Sequence, residues 1–131
     1  MDTLVSVLWV GLGSALGGIG RFLMAGAIDQ RIGETFPVGT FTVNVVGCFL
    51  IGLIATVTGP DGRLLVSTTA RQFMMIGILG GYTTFSSFSL QTLNLAQDGD
   101  WLRAGLNVVG SVVLCLFGVW LGYAAGLLIN R

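Results

Sequence analysis

Four apolar runs, each long enough to cross a bilayer, constrain this chain more than any other feature. A helix needs about 20 apolar residues to cover the hydrocarbon core. Leu4 to Ile28 meets that requirement with Arg21 inside it, and so do Val38 to Val57, Thr69 to Ala96 and Trp101 to Ile129. Polar punctuation separates them: Asp29 to Glu34, Gly59-Pro60-Asp61-Gly62, and Gln97 to Asp100. Thr35 is placed to cap the second helix and Pro37 to sit in its first turn. Only 9% of the 131 residues are charged, against about 25% in a soluble domain. The expectation is an all-α integral membrane protein, a single four-helix transmembrane domain over residues 1–131. Asp2 stands where a signal peptide would carry basic residues, so the first span is expected to stay in the mature protein.

The third run is interrupted. Gly77, Gly80 and Gly81 each weaken a helix by about 1 kcal/mol relative to alanine. Behind them come Thr83, Thr84, Ser86, Ser87 and Ser89. A helix broken at membrane depth is tolerated only where its freed backbone groups face protein or a water-filled cavity. The third helix is therefore expected to break near Gly80–Thr84, inside a bundle and beside a polar path. Elsewhere glycines recur every fourth residue, at Gly13 and Gly17, Gly77 and Gly81, and Gly118, Gly122 and Gly126. That spacing lets membrane helices approach closely.

Several function classes drop out. There is no histidine, and no acid lies in the middle of any span. A proton-coupled carrier needs an intramembrane group that takes up and releases the proton, so a small multidrug exporter is disfavoured. An enzyme is disfavoured too, for want of paired carboxylates, a serine with a histidine base, or a metal cluster. Six basic residues balance six acidic ones, which leaves no basic surface for nucleic acid. Gly11-Leu12-Gly13 does not complete a dinucleotide fingerprint, because Leu16 stands at its last position. Cys48 and Cys115 lie in apolar runs and read as small hydrophobes of a packed interior.

Uncharged donors, one arginine and aromatic rings remain. Asn44 is the strongest polar residue of the second span, with Thr40 one turn before it on the same face. It could glue two helices together or face a permeant species. Phe85 and Phe88 share a face of the third span with Ser89 and Thr92. They could pack, or turn their electropositive ring edges to an anion. Asn107, Ser111 and Cys115 form a stripe on the fourth span. Arg21 could snorkel to the interface or lend positive potential to a pore mouth. The residues alone read as a four-helix pore-former or carrier that favours an anion.

The arginine distribution bears on assembly. With four spans, Arg63, Arg71 and Arg131 fall on one side, while Arg31 and Arg103 fall on the other with Arg21 near that end. So even a count gives the positive-inside rule little to choose between orientations. Either few charges make a noisy count, or copies insert both ways up and pair as an antiparallel homodimer.

Three motifs carry a family resemblance over essentially the whole chain. They are Gly17-Gly18-Ile19-Gly20-Arg21, Gly39-Thr40-Phe41-Thr42-Val43-Asn44, and Gly80 to Ser89 with its glycine pair followed by T-T-F-S-S-F-S. In these the sequence resembles the small bacterial fluoride channels, the Fluc or CrcB family. The resemblance implies an antiparallel dual-topology homodimer in the bacterial inner membrane, surrounded by lipid. It implies two passive fluoride pores per dimer, lined by Phe85, Phe88, Asn44, Thr84 and Ser111, with Arg21 at a vestibule. It further implies a structural sodium ion at the dimer centre, held by backbone carbonyls of Gly80 and Thr83. Cys115 and Asn107 depart from the family's fourth-helix pattern, which often has a hydroxyl and can have an aromatic residue there. A proton-coupled exporter of small anions or small molecules, or a non-transporting assembly protein, would be the competing readings.

Overall fold

The computed structural model describes residues 3–131. Asp2, on which the reading of the N-terminus rests, lies outside the described residues. Four helical spans are long and apolar enough to cross a membrane: Thr3–Ile32, Val38–Val57, Thr68–Gln97 and Trp101–Asn130. The first, second and fourth are continuous helices, α1 (Thr3–Ile32), α2 (Val38–Val57) and α6 (Trp101–Asn130). The third is built from four pieces: α3 (Thr68–Gln72), a π-helical stretch (Phe73–Leu79), α4 (Gly80–Tyr82) and α5 (Phe85–Gln97).

Backbone approach at glycines sets the packing. A Cβ on Gly17 would run into the Ile78 carbonyl, and one on Gly81 into the Ser14 carbonyl, so α1 lies parallel to and against the first half of the third span. On the other side α2 and α6 also run parallel. There Gly118 faces the Val45 carbonyl and Gly122 the Phe49 carbonyl. The four-residue glycine pattern thus marks the two tightest seams of the bundle.

The start of α2 differs from the sequence expectation. Thr35 is not its cap, and Pro37 occupies the N-cap position rather than the first turn. Gly33, at φ +100°, turns the chain, and Asp29 at the end of α1 then accepts the Gly39 N–H at 2.8 Å. A carboxylate at a helix N-terminus satisfies a free donor and complements the dipole, so a neighbouring helix supplies the cap. At α6 the cap is local: Asp100 accepts the Arg103 N–H at 3.1 Å and pairs with its guanidinium at 3.0 Å.

The break falls within the expected Gly80–Thr84 stretch, at its C-terminal end. Gly80 and Gly81 are still helical, and the extended residues are Thr83 (φ −88°, ψ 157°) and Thr84 (φ −151°, ψ 119°). Gly81 serves packing against α1, and the threonines make the break. The π-helical stretch just upstream has no expectation behind it; such widened turns occur frequently at functional sites.

Candidate functional site

Two neighbours hold the break open. In an uninterrupted helix the Thr84 N–H would donate to the Gly80 carbonyl and the Ser87 N–H to the Thr83 carbonyl. Here the Thr84 N–H donates to Asn44 Oδ1 at 2.8 Å, and Asn44 Nδ2 donates back to the Thr84 carbonyl at 3.0 Å. The Ser87 N–H donates to Thr84 Oγ1 at 3.2 Å, which caps α5. Asn44 thus acts as a surrogate peptide group, and Thr84 as an N-cap. The carbonyls of Gly80, Gly81, Tyr82 and Thr83 lose their helical donors at the break, and that of Gly81 accepts from Arg21 instead. Thr83 takes no part in the diversion, since its hydroxyl bonds back to the Leu79 carbonyl at 2.9 Å.

Around this break a cavity of about 420 Å³ opens between α2, the third span and α6. Asn44, Gly80, Thr83, Thr84, Phe85, Phe88 and Ser111 all line it. Seven of the eight residues to which the family resemblance gives a role therefore meet at one place. Phe85 is 78% exposed, whereas Phe88 is buried. Their ring centroids lie 5.2 Å apart with planes inclined by 52°, so the pair presents ring edges as well as faces. The eighth residue, Arg21, lies outside the cavity wall. It is half-buried on α1 and its Nε donates to the Gly81 carbonyl at 3.2 Å, which ties α1 to the last helical turn before the break.

The cysteines correct an expectation. Cys48 and Cys115 are not packed interior residues: both are only partly buried, and both line the same cavity. Each follows a site residue by one helical turn, Asn44 on α2 and Ser111 on α6.

The motifs match a known family through most of the chain. Residues 8–123 fit the family described as CrcB-like protein, Camphor Resistance (CrcB). The chain belongs to the CrcB family. Its relatives include the fluoride-specific ion channel FluC of Opitutus terrae, 63% identical over 123 residues that make up 94% of this chain and 93% of that one. The FluC of Paramagnetospirillum magneticum is 59% identical over 93% of this chain and 95% of its own length. That of Rhodospirillum rubrum is 54% identical, covering 97% and 98%.

A second set of polar contacts runs from the cavity of this CrcB family member toward the membrane end. Ser111 Oγ donates to Asn107 Oδ1 at 3.4 Å, and Asn107 Nδ2 donates to Thr92 Oγ1 at 2.9 Å. Gln91 Nε2 donates to Thr40 Oγ1 at 2.9 Å, while its buried Oε1 has no protein partner. Gln91 lies outside the cavity wall and joins α5 to α2, a contact that sequence reasoning passed over. Its spacing, three residues after Phe88 on the same helix face, was the available signal.

Proposed function

We propose that this chain is a passive, fluoride-selective channel of the bacterial inner membrane that lets cytoplasmic fluoride leave down its electrochemical gradient. The convergence of Asn44, Thr84, Phe85, Phe88 and Ser111 on one cavity carries the reading. These groups offer hydroxyl and amide donors and the positive edges of phenyl rings. None bears a full charge that would trap the ion. A small anion sheds water at a cost, and fixed donors along a narrow path replace that water best for the ion they fit. The relatives named as fluoride-specific channels support the same permeant ion. No enzymatic chemistry is needed, since a full charge crossing about 100 mV is worth about 2.3 kcal/mol.

Two copies in antiparallel orientation complete the assembly, with two pores along their interface. The exposed Phe85 ring and the open cavity beside it supply the surface that a second copy would cover. The even arginine count supports insertion both ways up. A sodium ion fits the break: among the described residues no group of three or more His, Cys, Asp or Glu could hold a metal, whereas the Gly80 and Thr83 carbonyls have lost their helical donors. Oxygen dipoles of this kind suit a hard cation. When bound, sodium would supply positive charge and rigidity to the break. Asn44 and Thr84 hold the carbonyls available to it. Arg21, tethered at Gly81, adds positive potential near one mouth of the path.

Charge movement distinguishes this reading from proton-coupled export. Fluoride efflux from liposomes loaded with potassium fluoride should require a potassium ionophore to carry compensating charge. Efflux without the ionophore, set by an imposed proton gradient, would instead show a coupled carrier.

A further inference from the structure

The two thiols on the cavity wall have no part in the ion path described so far. Cys48 lies one turn beyond Asn44, and Cys115 one turn beyond Ser111. Parallel packing of α2 and α6 brings them to neighbouring levels, because a Cβ on Gly110 would stand 3.2 Å from the Phe41 ring and one on Gly118 3.2 Å from the Val45 carbonyl. Both thiols are free, partly exposed and on the wall of one cavity. No third acidic, cysteine or histidine side chain among the described residues joins them. A zinc ion, which takes four ligands in structural sites, is therefore poorly served. Cations that accept two sulfur ligands are served well.

We propose that Cys48 and Cys115 form a two-thiolate site for a soft, thiophilic cation of the Cu(I), Ag(I) and Hg(II) class. Soft thiolates select such ions over the harder ones that oxygen ligands prefer. Binding replaces two S–H bonds by two metal–sulfur bonds and releases two protons to water. No oxidation state changes, so no oxidant is required. The bound cation bridges α2 and α6 beside Phe88 and Ser111, where it closes the path. This consequence, unlike the site itself, rests on the pore reading above.

The test titrates the purified full-length protein with mercuric chloride and follows sulfur-to-mercury charge-transfer absorption, with fluoride efflux measured in parallel. Wild type should take up one Hg(II) per chain. Affinity should fall by about tenfold or more in Cys48→Ser and in Cys115→Ser, since each removes one of two ligands. Block of efflux, scaled to each variant's own untreated rate, should weaken in step and be reversed by a dithiol chelator. Prior alkylation of folded wild type with N-ethylmaleimide should abolish uptake, which keeps the test independent of how the variants fold. Single-thiol variants that bind Hg(II) as tightly as wild type would overturn the site. Tight two-thiol binding with undiminished efflux would leave the site standing and contradict its place on the pore.

Discussion

The carboxamide of Asn44 occupies both polar backbone groups of Thr84, accepting its N–H at 2.8 Å and donating to its carbonyl at 3.0 Å. This one side chain on α2 does what the next helical turn would otherwise do, and so fixes the break that gives the cavity its shape.

Asn44→Asp should abolish or strongly reduce fluoride flux while leaving folded protein. The carboxylate keeps the acceptor for Thr84 N–H, loses the donor to its carbonyl, and places negative charge beside an anion path. A buried group left without its partner costs about 1–3 kcal/mol. Flux at the wild-type level, measured with a fluoride electrode on liposomes, would remove Asn44 from the path.

Phe88→Ile should likewise suppress flux with the fold retained. Isoleucine fills much of the buried space but has no ring edge to offer the anion. A barrier raised by about 1.4 kcal/mol already lowers a rate about tenfold. Unchanged flux from a folded variant would show that Phe88 only packs.

Glycine substitutions should separate by position. Gly81→Leu should lower the yield of assembled protein, because the first added carbon meets the Ser14 carbonyl of α1. Backbone cannot yield as a flexible side chain can. Gly11→Ala, where an added Cβ finds nothing within 4 Å, should be neutral or raise stability by up to about 1 kcal/mol through helix propensity. Equal assembly of the two variants on size-exclusion chromatography would contradict the packing described for α1.

Thr84→Val removes the cap of α5 and should destabilise the protein by about 1 kcal/mol, whereas Thr84→Ser should stay close to wild type. Thermal unfolding in detergent reads the difference. The same assay should show loss of stability when sodium is replaced by a large organic cation, and recovery when sodium is restored. Insensitivity to sodium would argue against the Gly80 and Thr83 carbonyls as its ligands.

What the sequence revealed, and what it hid, follows from the range of the interactions involved. Span limits are local matters of hydropathy and loop chemistry, and Val38 to Val57 was legible to the residue. The interruption was legible too, since glycines and hydroxyls both weaken a helix. Its placement within Gly80–Thr84 was legible as well, but the contact that fixes it at Thr83 and Thr84 comes from Asn44, 40 residues away, and was not. The cap on α2 was misplaced for the same reason: Asp29 reaches Gly39 across an interhelical turn. The cysteines read as core residues in a one-dimensional pattern, and only the gap between α2, α6 and the broken span exposes them. For Asn44 the two readings left open, helix glue and path-lining group, turn out to be compatible. It binds the break and faces the cavity at once.

Paired fluoride and chloride efflux from liposomes that contain only this protein tests the central claim most directly. With a potassium ionophore present, fluoride should leave rapidly while chloride is retained, and Asn44→Asp in matched liposomes should hold both. Chloride leaving alongside fluoride, or no fluoride leaving from protein shown to be folded, would contradict the account.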